Sequence, residues 1–252
     1  MAEREGRIVT AGLLVIGDEI LSGRTKDKNI GYVAEYLTEL GIDLREVRVV
    51  ADDEAAIVEA LNALRNQYSY VFTTGGIGPT HDDITADCVA KAFGVSIDYD
   101  PRAVAMIKAR FTGELNEARM RMTRIPAGAD LIVNKISAAP GFRIGNVFVM
   151  AGVPAIMQAM LDAIAPLLDT GVKMLSETIR ADTREGDIGS ELGEIARAHA
   201  EVSIGSYPFF DTESGPNTNV VIRSRDAQKL AAAKREIEAM LAKVKAALAA
   251  QG

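Results

Sequence analysis

The sequence is short of the residues from which many catalytic motifs are built. It holds one cysteine, Cys88, and two histidines, His81 and His199, among 252 residues. A single cysteine excludes an intrachain disulfide and suits a reducing compartment. Two histidines leave little material for a histidine-based triad or a Cys/His metal cluster. No GxxxxGK[ST], GxGxxG or HExxH string occurs, so the common phosphate-loop, dinucleotide and zincin signatures are missing. Long apolar runs are missing too. The stretch from Ile8 to Ile16 covers about nine residues and is broken by Thr10 and Gly12, well short of the roughly 20 that a membrane span needs. The N-terminus also lacks the basic segment, long apolar run and small-residue cleavage site of a signal peptide. Positive charge is in deficit, with 28 Lys and Arg against 35 Asp and Glu and a net charge of −7. That balance opposes bulk binding to nucleic acid or an anionic membrane, while a local cationic pocket stays open. A cytoplasmic protein without nucleic-acid or membrane partners is expected.

What is present is core material and a repeated local pattern. Hydrophobic residues make up 48% and charged residues 25%, which fits a globular chain with a real core. Residues 8–17 are continuously apolar, as in a strand buried on both faces. A polar loop follows, then a helix over 30–41 ending at Gly41. Residues 42–50 alternate as a strand, 52–67 open on aspartates and continue as an amphipathic helix, 70–74 form a strand, and 85–94 a helix ended by Gly94. This β-α-β-α-β-α order predicts a mostly parallel sheet with helices on both faces, a three-layer α/β/α sandwich. The spacing predicts one helix over 100–122, a hairpin over 142–150 turning at Gly145-Asn146, and a helix over 152–168. A second β-α-β-β-α run predicts a small α+β domain. Its last helix carries Leu230, Ala233, Ile237, Met240, Leu241 and Val244 on one face. The expected domains are 1–170 and 171–252. Cys88 and the methionines are expected to be packing residues, and His199 a surface residue.

Ligands of such sheets sit at the carboxyl ends of the strands, here the loops 17–29, 51–53 and 75–83. The last lies within TTGGIGPTHDDIT at 73–85. Gly75, Gly76 and Gly78 allow backbone amides to approach a ligand, and amides leading into a helix start favour phosphate. Thr80 adds a hydroxyl, and His81 is a further phosphate contact. Asp82 and Asp83 repel phosphate unless a hard cation lies between, so the pair points to a metal-bridged phosphate or diphosphate. Asp52, Asp53, Asp18 and Glu19 end the neighbouring strands and would converge on the same ion. Glycine, proline and aspartate are equally ordinary turn and capping residues, and capping is the expected role of at least one of Asp52 and Asp53.

GDEILSGRTKDKN at 17–29, TTGGIGPTHDDIT at 73–85, APGF at 139–142 and AGVP at 151–154 occur together and in this order. The set resembles the MoaB/MogA molybdopterin-binding superfamily. Within it the chain is most similar to the CinA amino-terminal branch and to the molybdopterin-binding-like domain of FAD synthases. Residues 8–170 carry the resemblance, and 175–250 resemble the small domain that follows in CinA-type proteins. The resemblance implies a metal-dependent nucleotide pyrophosphatase acting on ADP-ribose or FAD. It places catalytic and metal-binding roles on Asp83 and Asp52, with Asp82 beside them. It also implies a pocket lined by Asp18, Glu19, Ser22, Asn29, Gly141, Gly152 and Pro154, with Lys135 as a phosphate contact. The expected cofactor is Mg²⁺, Mn²⁺, Co²⁺ or Ni²⁺, with K⁺ as a further candidate. The expected partner is a nucleotide diphosphate or a pterin phosphate, bound by a homodimer or homotrimer. The rivals are molybdopterin adenylyl transfer and a binding module without turnover. There are departures. The CinA pattern carries a glycine where this chain has Ser137 or Ala138, and these residues leave no room for the amidase domain of full CinA proteins or the reductase-like domain of FAD synthases. Neither amide hydrolysis nor FAD synthesis is therefore expected of them.

Overall fold

The computed structural model describes residues 7–111, 114–212 and 215–250. The chain divides into two compact units, residues 1–171 and 172–252. The first unit runs β1 (Val9–Ile16), α1 (Asp18–Leu21), α2 (Asn29–Glu39), β2 (Ile42–Val50), α3 (Glu54–Gln67), β3 (Tyr70–Thr74), α4 (Thr85–Phe93), β4 (Ile97–Tyr99), α5 (Pro101–Lys108), α6 (Glu117–Arg121), β5 (Arg124–Pro126), β6 (Asp130–Ile132), β7 (Gly141–Ile144), β8 (Val147–Met150) and α7 (Pro154–Ile164). Six strands form one sheet in the order β2-β1-β3-β8-β7-β6. The first four are parallel, while β7 and β6 run antiparallel at the far edge.

The continuous apolar run of β1 is explained by burial on both sides. Leu13 and Val15 pack with Val33 and Leu37 of α2 and with Met157, Leu161 and Ile164 of α7. Leu14 and Ile16 pack on the other face with Ile57, Leu61 and Leu64 of α3 and with Cys88 and Val89 of α4. Each such fully buried side chain contributes about 1.5–3 kcal/mol, so both faces of the sheet need a helical layer. The three-layer α/β/α arrangement follows. Cys88 is fully buried, and burial pushes its thiol up to about 12, as suits a packing residue.

Local signals set the boundaries closely. Gly94 closes α4 in the left-handed conformation, and Gly41 follows α2 with φ 71°. Pro154 opens α7, and Gly145 turns the β7–β8 hairpin. The predicted single helix over 100–122 is corrected. The chain leaves α5 after Lys108, and a new helix starts at Glu117 with Asn116 as its cap, its side chain accepting from the Arg119 amide at 3.0 Å. The pairing of β4 with β5 as a separate two-stranded sheet, the edge strand β6 and the single turn α1 add to the expected elements.

The second unit contains β9 (Leu175–Arg180), α8 (Glu185–Ala198), β10 (Ser203–Asp211), β11 (Gly215–Ser224) and α9 (Ala227–Ala249). Its antiparallel sheet has the order β10-β11-β9. Val220 and Ile222 face a core with Ile188, Leu192 and Ile195 of α8 and Leu230, Ala233, Ile237, Met240 and Leu241 of α9, with Val244 at its margin. His199 is not simply at the surface. It ends α8 half-buried, with Nε2 2.6 Å from Oε2 of Glu236 on α9. Among the described residues no helix is long and apolar enough to cross a membrane.

Candidate functional site

The carboxyl ends of β1, β2, β3 and β8 lie side by side, because these four strands are parallel neighbours. The glycine loop leaves β3 at Gly75, whose amide donates to the Met150 carbonyl at 3.2 Å. Gly75 has φ +106°, and a Cβ there would lie 2.1 Å from the Ile16 carbonyl oxygen. No other residue type fits that approach between β1 and the loop. The loop is tied to the start of α4 by Thr85, whose hydroxyl donates to the Gly75 carbonyl at 3.0 Å and whose amide donates to the Gly76 carbonyl at 3.0 Å. No side chain caps α4, so its first turn presents amides of the kind that favour an anion.

Asp83 closes the loop. Its Oδ2 accepts from the Thr80 amide at 2.8 Å and from the Thr80 hydroxyl at 2.5 Å. The Thr80 donors are therefore spent on Asp83. A Cβ on Gly78 would sit 2.6 Å from the same carboxylate oxygen, so the bare backbone there gives Asp83 its place.

The acidic side of the site is assembled from β1 and β2. Asp53 is the cap of α3, accepting from the Ala56 amide at 2.9 Å. Asp52 is the one left for the site, and its Oδ2 accepts from the Asp18 amide at 2.9 Å. Burial raises the Asp52 pKa above the ordinary carboxylate value. The Asp18 amide opposes that rise, and the nearby charges of Asp18, Glu19 and Asp82 add to it. Like charges crowded in this way are relieved by a cation.

A cleft of about 540 Å³ opens beside these groups, within the range that holds a small molecule or cofactor. Of the predicted residues, Gly75, Gly76, Gly78, Asp83, Glu19, Gly152 and Pro154 line it. The rest stand elsewhere. Asp18, Asp52 and Asp82 form the acidic group just described. Asn29 is buried behind the wall, its Nδ2 donating to the Gly152 carbonyl at 2.8 Å while its Oδ1 has no partner. Gly141 lies inside β7, where a Cβ would meet the Val149 carbonyl oxygen at 2.3 Å, so its bareness serves the sheet. Ser22 and Lys135 are exposed, and the His81 side chain is 98% exposed, 4.0 Å from Asp82.

Sequence reasoning missed Asn134, Ser137, Thr25 and Met122, which also line the cleft. Asn134 is buried and organises its turn by accepting from the amides of Ile136 and Ser137 at 2.9 and 3.2 Å. The available signal was the asparagine itself, a residue that bonds its own backbone in turns. Ala138 in this turn has φ 65°, at one of the two positions where the CinA pattern carries glycine. The left-handed conformation costs an L-residue roughly 1–2 kcal/mol. Ala138→Gly is therefore expected to raise stability by about 0.5–1 kcal/mol once the extra chain entropy of glycine is deducted. Urea melts read this directly, and a destabilised variant would mean that the Cβ packing of Ala138 outweighs the backbone strain.

Among the described residues no group of three or more His, Cys, Asp or Glu side chains is arranged to hold a metal ion. A Mg²⁺-class ion does not need such a cage, since one or two carboxylates with phosphate oxygens and water suffice. Asp83 in the cleft wall offers such an oxygen, and the carboxylate group of Asp52 meets the cleft at Glu19.

A family model described as probable molybdopterin binding domain matches residues 12–170, and one described as FAD synthase, middle domain, matches residues 173–248. An Archaeoglobus fulgidus protein is 30% identical over 229 residues, covering 91% of this chain and 96% of its own length. A probable FAD synthase of Caenorhabditis elegans is 31% identical over 253 residues, covering 85% of this chain; the match spans 49% of that longer protein. The crystal structure of the protein CinA from Thermoplasma acidophilum, described as having unknown function, matches with a TM-score of 0.60 and 34% identity over 63% of this chain and 97% of that one.

Proposed function

The chain belongs to the family of probable molybdopterin-binding domains and is similar to CinA; from that premise we propose that it is a metal-dependent nucleotide pyrophosphatase acting on a diphosphate of the ADP-ribose or FAD type. The observation that carries the reading is a nucleotide-sized cleft lined by the phosphate-suited loop and Asp83, which the crowded carboxylate group of Asp52 meets through Glu19. Gly76 and Gly78 offer backbone to one phosphate, and the uncapped start of α4 adds its partial positive charge. Asp83 and Asp52 are the residues that would hold the ion. A divalent ion bound there supplies charge neutralisation on the departing phosphate and lowers the pKa of a water. Met122, Ile156 and Met160 give the cleft an apolar side suited to a flat heterocycle.

The test is hydrolysis of ADP-ribose, FAD, NAD and ATP with Mg²⁺, Mn²⁺, Co²⁺ and Ni²⁺, read by chromatography of the products. Asp83→Asn is the variant of choice, because the amide oxygen still accepts from Thr80 and the loop stays closed. Release of two monophosphates is expected, dependent on metal and at least about 100-fold slower in the variant. A folded wild type that cleaves none of the four would sink the reading. Turnover of molybdopterin with ATP would then assign the same cleft to adenylyl transfer, which the family match favours as the second reading.

A further inference from the structure

The segment between α4 and β7 brings two arginines to the back of the glycine loop, and they differ in what holds them. Arg124 makes a two-pronged pair with Asp87, Nη1 to Oδ2 at 2.7 Å and Nη2 to Oδ1 at 2.6 Å. Its charge is matched, and it ties β5 to α4. Arg121 donates from Nη2 to the main-chain oxygen of Asp83 at 3.4 Å. Its Nε is buried without a hydrogen-bond partner, and no carboxylate of the described residues forms an ion pair with it. A half-buried guanidinium with an unmet N–H carries a desolvation cost that an anion would relieve.

Both arginines line a small pocket of about 20 Å³. Gly76, Ile77, Gly78, Asp83 and Met122 belong to this pocket and to the cleft alike. Its volume takes about one water or one oxygen atom, not a whole phosphate. A phosphate seated in the cleft against Gly78 would reach into it with one oxygen, toward the Arg121 guanidinium that lines it. The planar guanidinium suits phosphate oxygens better than any other cationic side chain does.

Resting on the pyrophosphatase reading, we infer that Arg121 contacts the second phosphate of the ligand and sets the preference of the site for a diphosphate over a monophosphate. The glycine loop takes one phosphate, and Arg121 takes an oxygen of the other. The contact is made by the side chain itself, so it is read by binding as well as by turnover, with a divalent cation present to offset the Asp83 carboxylate.

Calorimetry with ADP-ribose and with AMP in the presence of Ca²⁺ tests it, comparing wild type, Arg121→Gln and Arg119→Gln. Arg119 lies on the same helix and stacks on Phe111, so its variant removes the same charge away from the pocket. Arg121→Gln is expected to weaken ADP-ribose about 10–100-fold, the worth of one charge-assisted contact. AMP should lose much less, and Arg119→Gln should bind ADP-ribose as wild type does. In turnover the loss should fall on KM more than on kcat. ADP-ribose binding unchanged in Arg121→Gln overturns the inference and leaves the pyrophosphatase reading standing. Equal losses in both variants overturn it in favour of long-range charge. A wild type that neither binds nor cleaves any diphosphate overturns the underlying reading and this contact with it. If glutamine unsettles α6, as a thermal melt would show, Arg121→Lys keeps the charge and loses the fork. A several-fold loss is expected there too, and wild-type affinity in that variant overturns the inference.

Discussion

Asp52→Asn is expected to raise the melting temperature at pH 7.5 by about 1–3 °C while lowering metal-dependent turnover at least about 100-fold. The two effects share one cause. Burial, and then the neighbouring Asp18, Glu19 and Asp82, hold the Asp52 pKa above its ordinary value. A carboxyl raised in this way takes up a proton more readily in the folded chain. Its favourable contribution is present at acid pH and is lost as pH rises through the raised pKa. Near neutrality the ionised group is a net cost, moderated by solvent screening. Asparagine removes the cost and keeps an oxygen for the Asp18 amide. Below about pH 3, where the carboxyl is protonated in both states, the two proteins should melt together. Melts across about pH 3–8 check the first effect and turnover checks the second. A variant that melts lower at pH 7.5 would show that the ionised carboxylate is stabilised by the Asp18 amide more than its neighbours oppose it. Full activity would remove Asp52 from the metal.

Gly75→Ala is expected to cost about 3–5 kcal/mol, lowering the melting temperature by roughly 10 °C or more, and to abolish phosphate binding. The new Cβ would lie 2.1 Å from the Ile16 carbonyl oxygen, a backbone atom in the central strand β1. A flexible side chain can move aside, but a paired strand cannot. The loop would shift instead, and with it the amides that face the cleft. Gly23→Ala separates the clash from the conformation. Gly23 also has positive φ, at +72°, yet a Cβ added there would meet nothing within 4 Å. It should cost only about 1 kcal/mol and leave ligand binding intact. Similar losses in the two variants would mean that backbone conformation, not the approach of the loop to β1, is what the glycine provides.

Much of the architecture was legible because it rests on short-range signals. The 3.6-residue and two-residue periods separate α3 from β2, Gly94 stops α4, and the Gly145-Asn146 turn sets the hairpin. The family motifs marked loops that lie at the carboxyl ends of the parallel strands, because contiguous residues such as Gly75 to Asp83 follow directly from the strand before them. The segment 100–122 misled. The helical spacing runs through it, but Asn116 caps a second helix and a strand pair encloses both. Periodicity does not register that interruption.

The individual parts of the site were fixed by tertiary placement. From sequence, Asp52 and Asp53 are interchangeable; packing makes one the cap of α3 and turns the other toward the Asp18 amide 34 residues away. The raised pKa of Asp52 comes from its burial and from three carboxylates on two other loops. Arg121 reads as one charge on a solvated helix until the fold lays it against the Asp83 main chain. Ala138 reads as an ordinary residue until its turn puts it at φ 65°. Residue order alone was enough for most of the elements, for the parallel sheet that follows from their alternation, and for the loops at the carboxyl ends of its strands, because each of these rests on neighbours a few positions apart. Which side chains are desolvated, crowded or left without a partner depends on groups that the crossovers bring in from far along the chain, and those emerge only once the strands are paired and the helices packed.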